Sequence, residues 1–192
     1  VSRRIEVRGT ALATSELLLR ARKRADNVME SLPYVPGSAL RGALAARWLA
    51  SREPDARFQQ LFQSGRVRFE HAYPLAEDEP TVPAPFTLLA CKLDGFRPGH
   101  FAGDVITRQG LQLCEAADHG PRPAALKRQR GFVTVPTNGE GRFVAHDHAL
   151  VSRQRIGTMS DGSRRAAQQA LFEERLVAAG SRFGVAIRGD AE

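Results

Sequence analysis

Cysteine is scarce: Cys91 and Cys114 are the only two in 192 residues. Two cysteines cannot build the disulfide framework of a small secreted scaffold, and so low a usage fits a reducing cytoplasm. Long apolar runs are missing as well. A membrane helix needs about 18 consecutive apolar residues, whereas the most apolar segment, Ala39–Ala50, is broken by Arg41 and Arg47. The opening residues, Val1 to Glu6, have none of the apolar character of a secretory signal. There is no HExxH pair, no Ser/His/Asp ordering and no glycine-rich dinucleotide fingerprint, which sets aside the commonest hydrolase and nucleotide-dependent readings. The expectation is a soluble cytoplasmic protein with no membrane partner.

What is present begins with ordinary globular composition. Hydrophobic residues are 42% and charged residues 26%, enough to bury a core and too apolar for general disorder. The length suits a single domain, 1–192, carrying one large insertion. Lys and Arg total 28 against 21 Asp and Glu, a net charge of +7. Arginine dominates the cations, and its planar fork grips phosphate through two parallel hydrogen bonds. A GC-rich genome would account for choosing arginine over lysine but not for the net charge, which fits a nucleic-acid partner.

Along the chain, Ile5 and Val7 alternate with Glu6 and Arg8, the pattern of a half-buried strand. After a basic stretch containing Arg20, Arg22, Lys23 and Arg24, Pro36 and Gly37 punctuate the chain. Ser38 is a natural N-cap for an Ala/Leu-rich helix running to about Arg52, with Leu40, Leu44 and Trp48 toward the core. Arg66–Tyr73 alternates as a second strand, and the Pro- and acid-rich 75–85 reads as a loop. Phe86–Leu93 is apolar enough for a strand. From 94 to 141 Gly, Pro and basic residues prevail with little periodicity, the look of a long insertion or mobile loop. Phe143–Val151 returns to a strand. Local propensity favours helix over 164–179, while Phe183, Val185 and Ile187 alternate as a strand beyond Gly180. A hairpin of 171–177 with 182–188 is the rival reading.

Several residues have the chemistry for a site. Gly37 to Gly42 carries two glycines spaced as in a phosphate-binding loop, but Ala43 and Leu44 stand where Lys and Ser/Thr are needed. What remains is a helix N-terminus able to hold a phosphate, reinforced by Arg41. Of the five histidines, His146 and His148 alternate along one strand. They suit an acid/base pair or a metal site, though such pairs are more often ordinary surface residues. Cys91, His100, Cys114 and His119 supply four zinc-type donors, but their spacing matches no compact knuckle. The reading therefore carries no metal and no cofactor. Asp26, beside Arg24, suits an acid positioning metal or water, or a solvated charge.

The segment Val35-Pro36-Gly37-Ser38-Ala39-Leu40-Arg41-Gly42 strongly resembles the helix-opening hallmark of the RAMP superfamily of type III CRISPR effector subunits. Three later stretches agree in order: Phe58 to Phe69, His148 to Thr158, and Ala170 through Phe183. Within the superfamily the segment Thr81 to Lys92 and the helix opening are most similar to the type III-D Cas5-like subunit family. In that family a Cys-x-x-Cys knuckle often follows the lysine; here Cys114 and His119 occupy the comparable place. Members of that family continue further, so the resemblance implies that residues 1–192 are an N-terminal half, a split gene product or a trimmed chain.

The resemblance implies an α+β fold, a ferredoxin-like, RNA-recognition-motif core (βαββαβ) with long loop insertions, one at about 94–141, and the C-terminal β-hairpin. It implies an RNA-binding subunit with no catalytic residue. This subunit would hold guide RNA (crRNA) near its 5′ handle, with target RNA and other effector subunits as further partners. The residues expected to meet RNA are Arg22, Lys23, Arg24, Ser38, Arg41, Lys127, Arg128, Arg130, Arg153, Arg155, Arg164 and Arg165. The alternative is an RNA endonuclease of the same superfamily. It would cut target RNA with Asp26 or repeat RNA with a histidine base, for which His71, His146 and His148 are available.

Overall fold

The computed structural model describes residues 4–19, 22–25, 28–97, 99–104, 106, 113–134, 144–146, 150–158 and 166–190. The architecture is mixed α and β, dominated by strands. Two units emerge: Val1–Pro74 with Ala149–Glu192, and Leu75–His148 between them in sequence. Among the described residues, no helix is long and apolar enough to cross a membrane.

In the first unit, the strand Arg4–Leu12 pairs antiparallel with Arg182–Asp190 along its whole length, Arg4 opposite Asp190 and Leu12 opposite Arg182. The far edge of that last strand takes Arg68–Phe69 and then Tyr73–Pro74. A second sheet is ordered Leu150–Thr158, Ala166–Val177, Val28–Glu30, Arg22–Ala25. Its first pair is antiparallel and its middle pair parallel. Ala13, Ala72, Val177 and Phe183 form the buried core, with Leu17, Val35, Leu150 and Val185 packed around them.

The C-terminal block corrects two expectations. Residues 166–177 form a strand, so the helix favoured by local propensity over 164–179 does not form. Burial of Val177 and the ladders on both sides outweigh propensity, which is worth only tenths of a kcal/mol per residue, about 0–0.7. The strands flanking Gly180 are those expected of the hairpin, but they do not pair with one another. Ala166–Val177 pairs with 150–158 and Val28–Glu30, whereas Arg182–Asp190 pairs with Arg4–Leu12. Gly180, at φ 86°, makes the turn. The segment after the first strand runs alongside it: Ala13 exchanges backbone bonds with Gly180 and Ser181, and Leu17 with Val177. That segment is what separates the two strands into different sheets.

The first strand forms as expected, but its apolar face is not covered: Ile5 and Val7 are 50% and 60% exposed. It lies at the edge of its sheet, so its backbone ladder, not burial of its side chains, holds it there. The helix spans Gly37–Leu49, and its cap is Pro36, with no side-chain cap bond. Ser38 therefore lies inside the first turn rather than at the N-cap. Leu44 is 39% exposed, so only part of the expected apolar stripe is covered.

In the second unit, the expected loop at 75–85 is a hairpin. Leu75 and Ala76 pair with Pro80 and Glu79. The two turn residues, Glu77 and Asp78, both have positive φ, 47° and 73°, as a two-residue hairpin turn demands. The prolines that suggest a loop are accommodated within short strands. Thr81, Val82 and Pro83 pair with Thr134, Val133 and Phe132, which in turn pair with Val144–His146. A separate sheet is ordered Ala102–Asp104, Leu88–Cys91, Ala124–Arg128, Leu113–Cys114. The aperiodic 94–141 thus contains regular strands too short to leave a hydropathy signature.

Phe183 is 1% exposed at the centre of the first unit's core. Phe183→Ala should cost about 3–5 kcal/mol of stability, read as a fall in the denaturant midpoint without a change in slope. A loss under 1 kcal/mol would show that this core is not the stabilising one.

Candidate functional site

The Pro36-Gly37-Ser38 opening has a packing explanation. Gly37 is buried, and a Cβ there would fall on the carbonyl oxygen of Phe69 and within 2.9 Å of its carbonyl carbon. Only glycine lets the helix start approach the strand so closely. The Gly37 N–H, one of the donors a helix start leaves unpaired, donates to His71 Nδ1 at 3.0 Å. The His71 ring packs edge-on against Tyr34, with centroids 5.2 Å apart. Ser38 and Arg41 are exposed beside this junction on the helix.

The basic residues fall into groups. Arg22, Lys23 and Arg24 lie on one edge strand of the second sheet, and Arg153 and Arg155 on the other. The register row Arg153–Glu174–Met29–Lys23 crosses that whole sheet. Arg153 is 55% exposed and ion-paired to Glu16. The neighbouring row holds Arg175, whose Nε donates to Glu173 at 2.9 Å. The hydrogen bond from Arg175, followed by one from Ser152, holds the Glu173 carboxyl below its usual range. Lys127, Arg128 and Arg130 are exposed at and just beyond the strand Ala124–Arg128 in the second unit. There the Arg128 guanidinium sits over Phe86, 3.8 Å from the ring centroid. Phe86 is 81% exposed. A guanidinium on an open aromatic ring is a surface on which a nucleic-acid base can stack. Arg164, Arg165, Asp26 and His148 lie outside the described residues. His146 is described only as the end of a short strand.

The second unit also gathers Cys91, His100, Cys114 and His119, with one donor atom from each within 4.8 Å of all the others. The sheet explains how. Cys91 and Cys114 flank the strand Ala124–Arg128, opposite Leu126 and Ala124. Those two positions, two apart, lie on one face of the strand. His119 Nε2 lies 3.2 Å from Cys91 Sγ and 3.2 Å from His100 Nδ1, and Cys114 Sγ lies 3.9 Å from His100 Nδ1. Burial, the largest single influence, pushes the Cys114 thiol up, but the N–H groups of Phe101 and Ala116, with His119 and Cys91, hold it below the ordinary value. The four residues were visible in the sequence. Their convergence was not, because it is made by strand pairing and not by a local knuckle.

The RAMP superfamily profile matches residues 20–192. The chain belongs to the RAMP superfamily. No curated relative matches it. Its fold is similar to a chain in a cryo-EM structure of type III-B Cmr-beta in the apo state. The TM-score is 0.51 at 11% identity, covering 97% of this chain and 85% of that one. A chain of type III-B Cmr-beta bound to cognate target RNA gives 0.52 at 12% identity, covering 98% and 85%. At such identities the likeness is one of fold.

The packing explanation of the helix start in this RAMP chain is testable. Gly37→Ala should destabilise by about 1–3 kcal/mol through overpacking. His71→Ala should cost less, about 1 kcal/mol, for one lost acceptor at a part-buried junction. Urea midpoints of the two variants check the order, and a reversed order would refute the close-approach account.

Proposed function

We propose that this chain is an RNA-binding subunit of a type III CRISPR ribonucleoprotein, holding guide RNA near its repeat-derived 5′ handle and packing against neighbouring subunits in antiviral defence. The observation that carries the reading is the superfamily match over residues 20–192. The fold likeness to a Cmr-beta chain from a complex bound to target RNA and the net charge of +7 support it. Within that reading, the helix opening and Thr81 to Lys92 favour the type III-D Cas5-like group. The core is of the ferredoxin-like βαββαβ type, the chain is one domain with an insertion, and the complex works in the cytoplasm.

The mechanism is positional. Arginine and lysine neutralise phosphates, while exposed aromatic and guanidinium faces accept bases. Lys127, Arg128 and Arg130, beside the open ring of Phe86, form one contact region. Arg22, Lys23 and Arg24 form a second and Arg153 and Arg155 a third, with Ser38 and Arg41 at the helix start and Arg164 and Arg165 completing the set. The subunit is non-catalytic in this reading. Of the candidate histidine bases, His71 spends Nδ1 on the Gly37 N–H, which suits a positioning role in the fold better than proton transfer.

Sequencing RNA that co-purifies with the chain and its genomic neighbours tests the reading. Uniform small RNAs sharing a repeat-derived 5′ end are expected. RNA shortened only when Asp26 is intact would assign the endonuclease reading instead. In binding assays across salt, the triple variant K127A/R128A/R130A should flatten the log–log slope by up to about 2, near 0.7 per single-strand phosphate contact. An unchanged slope would remove those three residues from the RNA path.

A further inference from the structure

We propose that Cys91, His100, Cys114 and His119 form a structural zinc site that holds the second unit together. A tetrahedral zinc with bonds of about 2.0–2.3 Å sets its donors about 3.3–3.8 Å apart. The donor contacts here are 3.2, 3.2 and 3.9 Å, and no pair exceeds 4.8 Å. Two thiols and two imidazoles match zinc in both number and softness.

The surroundings are those of a metal site. His100 Nε2 lies 3.0 Å from Asp118 Oδ2. This carboxylate accepts a hydrogen bond from the Nε2–H and leaves the Nδ1 lone pair facing the cluster, as the outer partners of metal-bound histidines do. Arg97 spans Asp94 and Asp118, at 3.2 and 3.8 Å, and so steadies the orienting carboxylate. The Phe101 N–H donates to Cys114 Sγ at 3.2 Å, a bond suited to a thiolate. Both cysteines are 1% exposed and the His100 side chain is 2% exposed.

A hydrogen-bonded cluster without metal accounts for less. His119 Nε2 sits equally close to a sulfur and to a nitrogen, and a single N–H can satisfy only one of them well. The rest of this core is also meagre: Ala124 buried, with Phe101, Ala116 and Leu126 packed against it. So small an apolar cluster needs a staple, and four protein donors with no open position make a structural site and not a catalytic one. The strand bearing Lys127 and Arg128 is the one held between the two cysteine strands, so metal loss would unseat that basic surface.

The experiment is metal analysis and cobalt titration of the full chain. Purified protein should hold about one zinc per chain. Stripped of zinc, it should bind Co2+ with the intense d–d bands of a tetrahedral site and a thiolate charge-transfer band. C91S and C114S should lose both the stoichiometric zinc and that spectrum. D118N, which keeps all four donors, should bind Co2+ about 10–100-fold more weakly. Chelator should lower the unfolding temperature of the native protein and leave that of C114S unchanged. The proposal fails if folded native protein carries no zinc and gives no thiolate–cobalt band. It fails equally if C114S, still folded by circular dichroism, binds Co2+ as the native chain does.

Discussion

The backbone ladder between Arg4–Leu12 and Arg182–Asp190 is the constraint on which the first unit rests. It registers nine residue pairs between the two ends of the chain. It does so with side chains that stay largely in water on the first strand, so the hydrogen-bonded register, not apolar burial, dictates the pairing. Once this ladder is set, Phe183 is delivered to the core and Ala13 is placed against Gly180 and Ser181. The chain must then leave the sheet at residue 13 and pass beside Val177, which assigns the two C-terminal strands to separate sheets.

A second close approach organises the helix. The carbonyl of Phe69 occupies the space a side chain at residue 37 would need, and His71, two residues further on, takes the N–H at that point. One glycine therefore serves packing, helix initiation and satisfaction of a buried donor together. The family motif around it reads as a phosphate loop by spacing, yet its glycine answers to a neighbouring strand. Ser38 and Arg41, on the same first turn and a half of helix, stay exposed.

The second unit solves stability differently. Its sheets are short, and the cluster packed on one side of the strand Ala124–Arg128 buries two cysteines and an alanine, beside Leu88 and Ala90 of the adjoining strand. Donor atoms stand where a larger domain would place leucines, with His100 oriented by Asp118. The basic residues next to them sit on a strand whose position depends on that small centre. Charge and core are thus coupled through one strand.

The sequence by itself determined the net positive charge, the helix after Pro36, the strands at both ends of the chain and the family motif, because each is written in local order. It also supplied the four donors as a list. Tertiary structure alone decided that 166–177 is a strand, since pairing on both edges overrides a weak helical preference. It alone decided that the strands around Gly180 belong to different sheets, because residues 13–17 intervene there. The hairpin at 75–83 was hidden by its prolines and acids, which locally signal a loop. Cys91 and Cys114 meet only because both pair with the same strand, two positions apart. No spacing rule read along the chain can see a contact made across it.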